Sequence, residues 1–338
     1  MALGYFFGIG GIAVEPVGTD FYDQHDVMRG WCAQVQSWTG FELRSLFAED
    51  YKTLIASGSL DGSREPVDLS TRPGFLHRGF VRQVVHAIGI CDILAEQGVY
   101  PDLLAGTSLG GIVAACLAGS IEREDVFQLL ASIAKLPLAP EGGPARGVAF
   151  AVLPADADIG WYCGESRPNV YVAADYELSG DTTVLMLSGY LKDLEALAAE
   201  APSGHVPVVT GAIGGSHCPS QQFMSDLLEP YLDDIKFHDP KIPLLCGIGG
   251  AQSRTGQQLT TGDDVRKCIL ANNIEPVGSV KQIIAAFDKH HVQMGLAIGA
   301  ALPAGIPSSP FPVLQANAPD DIGQIMTIIY DLGIDVGR

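Results

Sequence analysis

Basic residues are scarce in this 338-residue chain, 20 Lys and Arg against 39 Asp and Glu, and no block of them occurs anywhere. The clustered cationic surface that phosphate binding needs is therefore missing, which excludes nucleic acid as a main partner. No C-x-x-C pair is present either. The seven cysteines (Cys32, Cys91, Cys116, Cys163, Cys218, Cys246, Cys268) are odd in number and scattered, which excludes a metal clip or dithiol redox motif and fits reduced thiols in a cytoplasmic protein. No apolar run approaches the roughly 18 residues needed to span a bilayer, so no membrane association is expected. The apolar N-terminal run lacks the charged flank of a signal peptide, since no Lys or Arg precedes Arg29 and Glu15-Pro16 interrupts it; it reads as a buried first strand. Charged residues amount to only 17%, below the roughly 25% usual in globular proteins. What is abundant is glycine, 40 residues, within a chain that is 47% hydrophobic, the composition of an enzyme-like fold with tight turns. The net charge of −19 bears on solubility rather than on fold.

At roughly 100–200 residues per domain, the length corresponds to two domains or to one large domain with an insertion. Tyr5-Phe6-Phe7 running into Gly8-Ile9-Gly10-Gly11 predicts a buried strand and a glycine turn. Helical spacing follows between Asp20 and Ala48, the stretch Ser57 to Pro73 reads as a loop, and Phe80 to Gln97 as a helix ended by Gly98. A short strand, Asp102 to Ala105, then leads through a glycine turn into an apolar helix from Leu109 to Ala118. After a further helix from Asp125 to Leu136 and the breaker Pro137 to Pro144, the character changes. Gly147 to Leu153, Asn169 to Ala174, Thr182 to Ser188 and Val206 to Val209 are β-rich, with helices near Ala155 to Cys163 and over Leu191 to Ala201. That β-α-β-β-α-β order is the split βαβ pattern of a ferredoxin-like unit. Helices resume near Gln221 to Leu232, Asp263 to Leu270 and Val280 to His290. The expected fold is a hydrolase-like α/β core with a parallel sheet, residues 1–142 and 216–338, interrupted by a small α+β subdomain at 143–215.

Gly106-Thr107-Ser108-Leu109-Gly110 is a G-x-S-x-G sequence between a predicted strand and a predicted helix, the context of a nucleophile elbow. The sharp turn lifts the serine Oγ clear of the backbone, and the helix N-terminus offers free N–H groups, notably that of Leu109, to an oxyanion. A serine needs a base. Of eight histidines, seven lie in ordinary surface or amphipathic contexts; His217 lies in Gly214-Gly215-Ser216-His217-Cys218-Pro219, where the inserted unit rejoins the core. A loop between subdomains is where a site forms, although a helix-capping role for Ser216 is the plainer alternative.

These residues carry a resemblance. Gly106-Thr107-Ser108-Leu109-Gly110-Gly111 resembles the G-H-S-x-G signature of the malonyl-CoA:acyl carrier protein transacylase family, which includes polyketide synthase acyltransferase domains. Ser216-His217-Cys218 is similar to its catalytic-histidine segment, and Phe7-Gly8-Ile9-Gly10-Gly11 to its N-terminal F-P-G-Q-G-S-Q. The resemblance implies Ser108 as nucleophile and His217 as base and later acid, a dyad steadied by a main-chain carbonyl for which Asn272 is the candidate. It places the oxyanion on the backbone N–H groups of Leu109 and Ile9. No bound cofactor or metal is implied; acyl-CoA or an acyl-phosphopantetheinyl carrier protein is the substrate, and a monomer is the family's common state.

The departures sharpen this. Ile9 stands for the family's first glutamine, beside Gly10 at the pocket mouth, and Thr107 for the motif histidine. The arginine that pairs with a malonyl carboxylate falls, by alignment, on Ile133 of Glu124 to Lys135; Lys135, two residues along, faces elsewhere. An unpaired buried carboxylate costs several kcal/mol, so an uncharged, monocarboxylic acyl group is expected. Three other readings use overlapping residues: an acyl-carrier-protein hydrolase with the same dyad, an α/β-hydrolase esterase recruiting His290 or His291, and a non-catalytic carrier-protein docking module. Carrier proteins are acidic, so docking to a chain of net charge −19 needs a local basic patch. The candidates are Arg78, Arg82, Arg266, Lys267, Lys281 and Lys289.

Overall fold

The computed structural model describes residues 2–8, 18–48, 72–154, 156–176, 182–202, 204–209, 214–249, 254–299 and 308–335. The chain begins with β1 (Leu3–Phe7) and the helices α1 (Thr19–Gln24), α2 (Asp26–Thr39), α3 (Leu43–Ala48) and α4 (Arg72–Glu96). Next come β2 (Leu103–Gly106), α5 (Leu109–Leu117) and α6 (Arg123–Lys135). A second unit contains β3 (Arg146–Pro154), α7 (Ile159–Tyr162), β4 (Val170–Asp175), β5 (Thr182–Tyr190), α8 (Leu191–Glu200) and β6 (Val208–Val209). The chain then returns through a 3-10 turn, Pro219–Gln221, to α9 (Gln222–Asp233), β7 (Leu244–Leu245), β8 (Gln258–Leu259), α10 (Gly262–Ala271), α11 (Val280–Lys289), β9 (Met294–Ile298), β10 (Val313–Ala316) and α12 (Pro319–Asp331).

The large sheet runs β10-β9-β1-β2-β7-β8, parallel from β10 to β7, with β8 antiparallel at the edge. Parallel strands covered on both faces are apolar at successive positions. Leu3–Phe7 and Met294–Ile298 are accordingly buried throughout. Because the strands run parallel, β1 and β2 end at one edge of the sheet, and that edge carries the elbow.

The small sheet runs β4-β5-β3-β6 and is antiparallel throughout, so a hydrolase-like core carries a ferredoxin-like subdomain. One face packs Leu153, Leu185 and Leu187 on Leu194 and Leu197 of α8. The other packs Val148, Ala173 and Met186 against Val277 of the large core, and the Val277 N–H donates to the Ala173 carbonyl at 2.9 Å. This seam fixes the subdomain beside the elbow.

The helix expected from Phe80 starts at Arg72. Arg72 and Pro73, read as the end of a loop, are helical, because a first-turn proline lacks only an N–H that has no helical acceptor. The rest of that loop, like the Gly8-to-Gly11 turn beyond Gly8, lies outside the described residues. Among the described residues no helix is long and apolar enough to cross a membrane. All seven cysteines are free thiols, six of them buried.

Candidate active site

β2 ends at Gly106 and α5 begins at Leu109, leaving Thr107 and Ser108 to make the turn. Ser108 takes φ 54° and ψ −129°, a conformation that costs a non-glycine residue about 1–3 kcal/mol. The turn is this sharp because its flanks are glycine. A Cβ on Gly106 would stand 2.0 Å from the Gly110 carbonyl oxygen, and one on Gly110 would stand 2.2 Å from that of Phe7. The Thr107 N–H donates to Phe7 O at 3.0 Å, tying the elbow to β1. Leu109 opens α5, so its N–H has no intrahelical acceptor and lies at the positive end of the helix dipole.

His217 comes to Ser108 from far along the chain. Its Nε2 is 2.9 Å from the Ser108 Oγ, and its Nδ1 is 2.5 Å from the Asn272 carbonyl oxygen. A carbonyl can only accept, so Nδ1 carries the hydrogen and Nε2 presents its lone pair to the serine hydroxyl. Burial pulls the imidazole down from 6.5 to about 4, with the Asn272 carbonyl acting in the opposite direction, so the ring is neutral and able to accept a proton at neutral pH. Asn272 caps the C-terminus of α10, where helix carbonyls lack intrahelical partners. The negative end of that helix favours the imidazolium that forms when Nε2 takes a proton. At its other end α10 is fixed by a capping box between Thr261 and Asp264.

A cavity beside the elbow is lined by Ser108 and Asn272 and by apolar residues of α5, β7 and α10, among them Ile112, Ala115, Leu244, Val265 and Ile269. Among the described residues its lining contains no Lys, Arg, Asp, Glu or His. Ile133 is half-buried on α6 and packs against the main core, outside this lining, while Lys135 is exposed. Thr107 is 1% exposed and its Oγ1 has no hydrogen-bond partner among the described residues. Ile9 and Gly10 lie outside the described residues. Two site residues carried no motif signal. Gly247 lies under the elbow, where a Cβ would stand 1.9 Å from the Gly106 carbonyl oxygen; Ser188 of β5 accepts the Ser216 N–H at 2.8 Å. A hydroxyl at the end of the otherwise apolar run Val184 to Leu187 is the one sequence clue to Ser188.

The six docking candidates stand in different surroundings, and one of them, Arg82, departs from the sequence expectation of a surface charge. Arg82 is fully buried on α4 and presents no charge to a partner. Arg266 is held between Glu229 at 3.4 Å and Asp233 at 2.5 Å, and Lys267 pairs with Asp263 at 2.5 Å, so neighbouring carboxylates offset both charges. Lys289 ends α11 and so lies toward the opposite edge of the sheet from Ser108, because a helix leading into a parallel strand runs against it. Lys281, exposed in the first turn of α11, lies at the same edge as the elbow. Arg78, half-buried, has its guanidinium 5.7 Å from the Phe41 ring centre.

No family model matches the chain. Among curated proteins it is 25% identical over 213 residues to the non-reducing polyketide synthase tpeB of Talaromyces stipitatus, covering 62% of this chain and 9% of that protein. It is 29% identical over 166 residues to the spectinabilin polyketide synthase system protein NorC of Streptomyces orinoci, covering 48% of this chain and 7% of that protein. The chain thus spans less than a tenth of the length of these relatives. Solved structures match over nearly the whole chain. The malonyl-CoA:acyl carrier protein transacylase of Xanthomonas oryzae has a TM-score of 0.76 at 17% identity, covering 97% of this chain and 99% of that one. A type II polyketide synthase malonyl-transacylase, solved with its acyl-carrier protein, has a TM-score of 0.75 at 17% identity, covering 97% and 100%.

Proposed function

We propose that the protein, which has the fold of the malonyl-CoA:acyl carrier protein transacylases, is a serine acyltransferase that moves an uncharged acyl group between thioesters in polyketide or fatty-acid-type biosynthesis. The observation that carries this reading is the Ser108–His217–Asn272 chain, with a neutral, buried imidazole 2.9 Å from a serine on a strained elbow. In the first half-reaction the Ser108 Oγ attacks the thioester carbonyl as Nε2 takes its proton. The oxyanion rests on the Leu109 N–H, joined by the backbone N–H at Ile9, the donor implied by the family resemblance. Collapse expels the thiol, which takes its proton from Nε2, and leaves an acyl ester on Ser108. An acceptor thiol then gives its proton to Nε2, attacks the ester, and reverses the sequence.

The uncharged acyl group is argued from Ile133, which stands where the family resemblance places the extender arginine; separately, the cavity beside the elbow has no cation among its described lining residues. An acyl carrier protein is the partner that supplies or receives the acyl group, in keeping with the carrier complex among the solved relatives. Intact-protein mass spectrometry against a panel of acyl thioesters tests the reading. Acetyl or longer monocarboxylic groups should form an ester lost in Ser108→Ala, and malonyl-CoA should not. Robust malonyl labelling overturns the substrate class, and absence of every adduct overturns the enzyme in favour of a docking module. Release of free acid in the presence of an acceptor carrier protein makes the same dyad a hydrolase.

A further inference from the structure

Ser188 ends the apolar part of β5 on the face turned toward the large core. Along β5, Leu185 and Leu187 pack with α8 whereas Met186 packs with Val277 in the seam, and Ser188 shares the parity of Met186. It is fully buried. A hydroxyl on a buried face needs partners. Its Oγ accepts the Ser216 N–H at 2.8 Å and lies 3.3 Å from the Cys218 Sγ, which is itself 3.1 Å from the Ser220 Oγ. The two groups it holds therefore belong to the residues on either side of His217.

His217 needs such a hold, because its φ of 54° is a backbone state that a non-glycine residue keeps only where its surroundings fix it. On the large-core side, the Cys218 N–H donates to the Asn273 carbonyl at 3.2 Å, next to the Asn272 carbonyl that takes Nδ1–H. On the subdomain side Ser188 holds the two residues flanking His217, while Arg146 of β3 donates its Nε–H to the Ser220 carbonyl, further along, at 3.0 Å. We infer that Ser188 is the positioning residue that sets the orientation of the His217 ring, so that the ferredoxin-like subdomain enters the reaction by holding the base. The inference rests on the acyl-serine reading for its consequence, but the hold itself is measurable without substrate.

Proton NMR of ¹⁵N-histidine-labelled protein reads the Nδ1–H···O bond directly, as a far-downfield resonance in the wild type that His217→Gln removes. In Ser188→Ala that resonance moves upfield or broadens, and acylation of Ser108 falls about ten- to a hundredfold in kcat. KM for the acyl thioester stays within about twofold. Ser188→Thr, which keeps the hydroxyl, recovers the resonance and most of the rate. Ser188→Cys, near in size but a weak acceptor, reproduces the loss if the alanine variant does not fold. A wild-type resonance and rate in Ser188→Ala, or equal loss in the threonine and alanine variants at matched thermal midpoints, overturns the inference. If the resonance responds but the wild type forms no adduct, the positioning role stands and the acyltransferase reading falls.

Discussion

In the proposed reaction, burial of His217 sets the pH range in which Ser108 reacts. Protonated Nε2 has no lone pair for the serine hydrogen, so activity requires the neutral ring. With the imidazole pulled to about 4, kcat/KM for acylation should be level from about pH 5 to neutrality and fall about tenfold per pH unit below 4. Stopped acylation assays across pH 3.5–7 read this; an acid limb at the solvated value of 6.5 would mean that water reaches the ring. The sequence singled out Ser108 and His217 as candidates because each lies in a glycine-rich motif, and the structure brings the two within 2.9 Å. It did not show Gly247, because the atom that forbids a side chain there, the Gly106 carbonyl oxygen, comes from a different strand. Nor could spacing reveal the strain at Ser108 and His217, two of three non-glycine residues with positive φ among those described.

In the proposed reading substrate choice belongs to a whole element, since the register of α6 decides which side chain stands where the family resemblance places a cation. Ile133 is half-buried while Lys135 is exposed, as expected of residues two apart on a helix. Ile133→Arg should therefore give malonyl labelling of Ser108 at least about tenfold above wild type, one charge-assisted pair being worth that much, whereas Lys135→Arg should give none. Comparative malonyl-CoA labelling by mass spectrometry decides it, and equal labelling of both variants would mean that the alignment is out of register. Elements with strong periods were legible. The strand expected over Thr182 to Ser188 spans Thr182–Tyr190, and the helix expected over Leu191 to Ala201 spans Leu191–Glu200. Where physical signals are weak, boundaries were lost. The first turns of α4 carry His77, Arg78 and Gly79 rather than an apolar stripe, and β7 and β8 are two residues each, too short for any alternation to register.

At the scale of the molecule the problem is charge. With 20 basic and 39 acidic side chains, the protein repels an acidic carrier protein at long range, and screening beyond about 8 Å at physiological salt leaves docking to the few cations near the site. Composition showed the excess but not its arrangement. Burial removes Arg82, carboxylates of α9 offset Arg266, and Asp263, one turn away, offsets Lys267. Beside Arg78, which is half-buried against Phe41, two exposed lysines lie at opposite ends of α11. Lys281 is at the elbow's edge of the sheet, and Lys289, about 12 Å further along the helix, is at the far edge. The two exposed lysines thus form an internal contrast. Lys281→Glu should lower kcat/KM for an acyl carrier protein several-fold at low salt, with the difference narrowing as salt rises, because rim charges act on the rate of encounter. It should leave acylation by a small acyl thioester unchanged, since that substrate needs no protein surface. Lys289→Glu adds the same change in net charge where no carrier protein need approach, so it should do little to either substrate. Equal losses in the two variants would show that total charge governs the encounter; a loss confined to Lys281→Glu would locate the carrier on the face shared by the elbow and the seam.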